Sequence, residues 1–303
     1  MNIQLQSGLA VAQNLITIQQ EDGAAAAPSA GQANAAQASS SSGETDLLMK
    51  LYTNLSRKVT PEMLGTTVDS NMMLSVVVET GKLNINGLYD FSKKKFVKEG
   101  EGSGDRKKLS QWVFDRIAQT GGGKSLFEPF SEFLKNRKFP LNDVTELLAI
   151  PEFAQYFYEA VFYDSSQKEG SHKKLYLSDL FTVVSETDTI QPWALSPSLI
   201  KILGGSVSSL DSKKIEASLK NFAAEMDWPK NWDGTVGNLY GIKFDNLSEE
   251  MKSILTAQFE ATIFSITLKV HDHKNKVGLS ALLKKKTEKS GQSTYDILRM
   301  YQI

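Results

Sequence analysis

At 303 residues, with 41% hydrophobic and 23% charged side chains, the chain has the composition of a folded protein and room for one large domain or two ordinary ones. A net charge of −1 excludes the global basic field of a duplex-DNA binder, and the absence of cysteine excludes disulfides, thiolate catalysis and thiolate metal sites. No run approaches the roughly 18 uncharged apolar residues that span a bilayer, and the start Met1-Asn2-Ile3-Gln4 has no positive n-region, so neither a membrane anchor nor a cleaved signal peptide is expected.

Residues 1–43 read as a disordered low-complexity arm whose only charges are Glu21 and Asp22. Its Ala/Ser-rich part has too little large apolar surface to offset roughly 1–2 kcal/mol of ordering entropy per residue. Its first part, with Leu9, Val11, Leu15, Ile16 and Ile18, is apolar enough to dock as a short helix or strand.

From residue 44 a folded body is expected. Leu47, Leu48, Leu51, Tyr52 and Leu55 have helical spacing, and Thr60-Pro61 has the form of an N-cap followed by proline. Residues 72–78 and 82–91, around the Thr80-Gly81 turn, read as strands of a small hairpin. The polar, glycine-bearing stretch 93–108 reads as an exposed loop. Helical periods follow at Leu109, Trp112, Val113 and Ile117, at Leu126, Phe127, Phe130, Phe133 and Leu134, and at Val144 to Val161.

The polar stretch 164–174 is the expected boundary between two lobes, an N-terminal one over 44–165 and a C-terminal one over 175–283. In the second, Ser196-Pro197, Asp211 or Ser212, and Asn246 or Ser248 are helix starts. Trp228, Trp232 and Tyr240 read as anchors holding a Pro/Asn/Gly-rich loop to the core. Over 259–270 the helical and strand periods compete, and helix followed by strand is the reading kept. Residues 284–303 form a basic, then apolar tail. The expected class is mainly α with a minor β component (α+β): a helical body with a disordered N-terminal arm and an extended C-terminal tail.

Three patterns bear on chemistry. Ala118-Gln119-Thr120-Gly121-Gly122-Gly123-Lys124-Ser125 fits a relaxed phosphate loop with alanine in place of the first glycine, in which backbone amides wrap phosphates, Lys124 neutralises them and Ser125 holds magnesium; the helical spacing before it favours a plain helix–helix turn. His271-Asp272-His273 could start a metal site, but Lys269, Lys274 and Lys276 around it oppose a divalent cation, and no metal, cofactor or catalytic residue is assigned. Lys93, Lys94, Lys95, Lys107, Lys108, Lys284, Lys285 and Lys286 lie close to aromatics in sequence and are the candidate nucleic-acid contacts: in one groove they would track a single-stranded backbone while the rings stack bases.

The functional expectation is a non-enzymatic, self-assembling protein of viral coat or nucleoprotein type. It would bind single-stranded RNA in a cleft and neighbouring copies through its terminal segments, in the virion or host cytoplasm, with no membrane and no small-molecule substrate. A competing expectation is a bacterial secreted or secretion-associated protein that binds a host protein; a third is a nucleotide-binding enzyme using the Gly121–Lys124 turn.

Overall fold

A strand buried on one face alternates apolar and polar residues, and four segments of this chain do so in matching phase. The computed structural model describes residues 3–16, 44–52, 57–59, 71–163, 174–207, 211–222, 227–271, 276–287 and 293–303. Its strands are β1 (Arg57–Val59), β2 (Asn71–Val78), β3 (Leu83–Asn84), β4 (Tyr89–Asp90), β5 (Lys95–Phe96), β6 (Phe181–Thr182), β7 (Ile263–His271), β8 (Lys276–Thr287) and β9 (Ser293–Gln302). Five of them form one antiparallel sheet in the order β1-β2-β7-β8-β9.

Cross-strand register makes the two faces of this sheet unlike each other. Leu74–Leu268–Leu279, Val76–Ile266–Ala281 and Val78–Phe264–Leu283 are rows of buried apolar side chains on one face. The alternate positions, Ser75–Thr267–Ser280 and Val77–Ser265–Leu282, form the more polar opposite face. Helix α1 (Ile3–Ile16) lies on the apolar face with Leu9 and Ala12 buried. Gly8 comes so close that a Cβ would stand 2.7 Å from Met72 Sδ and 3.2 Å from Leu268.

The polar face carries the helical body. Residues 44–52 form α2, followed by α3 (Arg106–Gly121), α4 (Phe127–Asn136), α5 (Pro151–Phe157), α6 (Leu177–Leu180), α7 (Pro197–Ile202), α8 (Ser212–Leu219), α9 (Trp228–Asn231), α10 (Asn238–Tyr240) and α11 (Glu249–Lys252). The Asp105 carboxylate accepts from the Lys107 and Lys108 amides at the start of α3. Phe114 of α3 gathers Phe130, Phe153 and Phe181 at centroid distances of 4.8, 5.6 and 5.8 Å. A second aromatic group joins Trp193, Trp228 and Trp232, whose Nε1 donates to the Ile242 carbonyl at 2.7 Å. One hydrophobic core runs from Leu9 to Leu283 and includes residues on both sides of 165–175.

The mainly α class is overturned by this sheet. Strands of 8, 9, 12 and 10 residues organise the fold, whereas among the described helices of the body only α3, at 16 residues, is longer than the longest strand. Nor is 284–303 an extended tail: it completes β8 and supplies β9. Three consecutive lysines had hidden the alternation there. Residues 263–271 are strand throughout, bonded on both sides, and β2 pairs with β7 rather than with 82–91. Residues 3–16 of the expected arm are helical; 17–43 and the Thr60-Pro61 cap lie outside the described residues.

Candidate functional site

The 3-10 turn Glu79–Gly81 follows β2 directly and drops two charged side chains into the junction between sheet and helical body. Lys82 is 2% exposed and Glu79 3%. The Lys82 ammonium donates to the Glu79 carboxylate, to the Ser178 carbonyl at 2.8 Å and to Ser265 Oγ at 2.9 Å, while the Ser265 hydroxyl also bonds Glu79. Three acceptors for three N–H groups satisfy the buried cation fully.

Asp179, 1% exposed, lies nearby; burial pushes its carboxyl above the ordinary value, against the Lys82 charge and a 2.6 Å bond from the Ser198 amide. Its second oxygen, Oδ1, has no hydrogen-bond partner.

Above this network a narrow cleft opens between the polar face and the segment containing β6. Glu79, Ser178, Thr182, Ser265 and Ser280 line it, together with Asp143, Arg299 and Tyr301. Arg299 holds Asp143 at 3.2 Å, and the Tyr301 hydroxyl donates to the same carboxylate. Burial works against ionisation of Asp143, but hydrogen bonds from Thr145 and Tyr301 and the Arg299 charge outweigh it and hold the carboxyl below its ordinary value. Burial and the Asp143 carboxylate push the Tyr301 phenol up. The cleft encloses about 40 Å³. That is room for a few waters, against the roughly 300–1,000 Å³ of small-molecule pockets. It is a narrow, water-sized seam between the two layers.

Phe139 and Tyr158 are exposed singly, whereas the sheet edge exposes three large apolar side chains in one strand. The apolar rows of the inner strands continue into β9, Leu283 facing Ile297 and Ala281 facing Met300. There the cover ends: Ile297, Leu298 and Met300 are 49%, 42% and 44% exposed. Leu298 is an extra residue in the ladder, since Leu282 faces Arg299 and Leu283 faces Ile297. Sequence reasoning noticed the apolar residues of 295–303 but not that they edge a sheet. The alternation Tyr295, Ile297 was the available signal, broken by the bulge one residue later. It missed Glu79 and Lys82 altogether, although two charges amid Val76, Val77, Val78 and Leu83 were visible.

The eight candidate lysines sit on separate elements. Lys93 pairs with Asp90 at 3.3 Å, Lys94 donates to the Lys135 and Arg137 carbonyls at the end of α4, and Lys95 is exposed on β5. Lys107 pairs with Glu99 at 2.8 Å, and Lys108 is exposed in the first turn of α3. On β8, Lys284 pairs with Glu186 and Lys286 with Asp296, while strand alternation puts Lys285 on the other face, where burial lowers its pKa. Acidic side chains or carbonyls hold five of the eight, and Lys285 stands on the opposite face of the sheet from Lys284 and Lys286. The coat-protein, nucleoprotein and RNA-binding reading is therefore withdrawn.

The Gly121–Lys124 turn is a helix end. Gly122, at φ 73°, and Gly123 both donate their N–H to the Ala118 carbonyl, and the element before them is α3 rather than a strand. Gly121 abuts Tyr156: a Cβ there would fall 1.8 Å from its hydroxyl oxygen. His172, Asp272 and His273 lie outside the described residues, and among the described residues no group of three His, Cys, Asp or Glu could hold a metal. No helix among them is long and apolar enough to cross a membrane.

No protein-family model and no curated protein matches this sequence. Among solved structures, the chain is similar to a chain of the GspK-GspI-GspJ complex from the enterotoxigenic Escherichia coli type 2 secretion system, at 11% identity over 88% of this chain and 96% of that one, with a TM-score of 0.40.

Proposed function

We propose that this chain is a non-catalytic, protein-binding component of a bacterial secretion process, and that it engages protein partners through the outer edge of β9. One observation carries the reading. The side chains that are buried in β2, β7 and β8 have counterparts in β9, Ile297 and Met300, that remain about half exposed beside an edge with no further strand among the described residues. An edge with open backbone groups and a half-covered apolar face is the arrangement used in strand addition: main-chain bonds supply affinity and alternate side chains supply selectivity. The absence of cysteine and the uncharged first twenty residues suit a chain that works along an export route. The reading places it with the secretion machinery or among the proteins that machinery releases.

The test is genetic and chemical together. In a bacterium encoding the chain, Ile297→Lys should accumulate normally yet cut the release of secreted proteins about tenfold, the effect expected when a lysine replaces an apolar anchor at an interface. A photo-crosslinking side chain at position 298 should form defined protein adducts that Ile297→Lys abolishes. Unchanged release from both the variant and a deletion strain would sink the proposal.

A further inference from the structure

We infer that the occupant of the β9 edge is a second copy of this chain, paired antiparallel across a two-fold axis so that two sheets become one. The inference rests on the protein-binding reading above and names the partner.

Backbone polarity restricts how β9 can pair. Gly278 and Ile303 exchange both of their backbone hydrogen bonds, at 2.8 and 3.0 Å, so they form a bonded pair. Bonded and non-bonded pairs alternate along an antiparallel ladder. Gln302 and Met300, facing Leu279 and Ala281, therefore aim N–H and C=O away from β8; beyond the bulge the same phase holds for Ile297, facing Leu283. A two-fold pairing must set outward groups against outward groups.

The register that sets Met300 opposite Tyr295 of the second copy, both outward in phase, also sets Asp296 opposite Arg299 of the second copy, and symmetry sets Arg299 opposite that copy's Asp296. Opposite charges then face each other twice. Ile297 and Leu298 meet around the axis, and the Tyr295 ring comes against Met300 of the second copy. Each type of side chain finds its complement in an identical strand, the requirement of a self-complementary two-fold interface.

Asp296 and Arg299 share the polar face, since they stand opposite Lys284 and Leu282. Both are already held there: Asp296 by Lys286 at 2.5 Å and Arg299 by Asp143 at 3.2 Å, with their side chains 48% and 29% exposed. They would meet a partner strand pre-positioned. The strand carries neither proline nor lysine, two devices that commonly keep edges single, and its bulge falls at the axis, where both copies bring the same extra residue.

Because the chain has no cysteine, the register can be read by disulfide formation. In Asp296→Cys/Arg299→Cys, facing Cα atoms of the two copies would lie about 4.5–5.5 Å apart, within disulfide range. Within one copy the two positions are about 10 Å apart and cannot close. Mild oxidation should turn most of the double variant into covalent dimer. Asp296→Cys alone should stay uncrosslinked, because its counterpart would be about 10 Å away.

Sedimentation of the full chain should show a concentration-dependent dimer that Ile297→Lys weakens about tenfold, roughly 1.4 kcal/mol. A chain that remains monomeric at its highest soluble concentration, or a double variant that crosslinks no better than the single one, overturns the pairing. If that monomer still forms adducts with other proteins in the secretion assay, the edge binds a different partner and the protein-binding reading stands.

Discussion

Lys82 is held inside the molecule by three hydrogen bonds that its Nζ donates, to the Glu79 carboxylate, the Ser178 carbonyl and Ser265 Oγ. Those contacts come from three different elements, so one side chain ties the end of β2 to α6 and β7. Replacing it with Met would leave the Glu79 carboxylate buried with the Ser265 hydroxyl as its remaining side-chain partner here. Breaking a buried pair from one side costs about 3–5 kcal/mol, whereas removing both charges costs far less. Lys82→Met should therefore lower the stability measured by urea unfolding at neutral pH by about that amount, and Glu79→Gln/Lys82→Met should recover much of the loss. A single variant within about 1 kcal/mol of wild type would show that the network does not hold the layers together.

At the scale of elements, β9 has an irregularity that can be removed without disturbing its neighbours. Ile297 faces Leu283 and Arg299 faces Leu282, so deleting Leu298 leaves every other pair in register. The deletion should keep the fold and change unfolding free energy by no more than about 1 kcal/mol; a collapse in stability would show that the bulge itself is required.

Legibility followed the range of the interactions. Ser196 before Pro197, Asp211 and Ser248 announce helix starts within four residues of sequence, and each side chain accepts from a backbone amide there: Leu199, Lys214 and Met251. The sheet was harder to read, because what defines β7 and β8 as strands is pairing, and the partner of β7 on one side lies nearly two hundred residues earlier. Lys284, Lys285 and Lys286 read as a solvated basic run because nothing local reveals that the middle one turns to the other face. The β9 edge was half legible: its apolar residues were plain, while its neighbours and its open side were not.

For the whole molecule, α1 is the lid of the apolar face, with Gly8 against Met72 and Leu268 and with Leu9 and Ala12 buried. Removing residues 1–16 should uncover the Met72 and Leu268 rows. Loss of Leu9 alone amounts to about 2–5 kcal/mol by the usual cost of deleting a buried leucine. The truncated chain should bind an apolar dye such as ANS more strongly and melt at a lower temperature. Unchanged dye binding and melting would mean that α1 contributes no cover.

Val78 and Phe264 are paired neighbours, so the chain leaves the sheet after β2 and returns beside its own departure point. Topologically, everything between them is the turn of one hairpin, swollen to hold α3 to α11, with α2 joining the helical body from before β2. Each doubling of a flexible turn adds only about 0.6 kcal/mol of closure entropy, so a fold of this design tolerates growth or replacement of that turn provided its two ends emerge side by side. The β9 edge lies on the far side of β8 from the splice. The insert nonetheless reaches that edge, since its Asp143 holds Arg299 and Tyr301, so helical body and sheet are riveted twice, there and at the Glu79–Lys82–Ser265 contact.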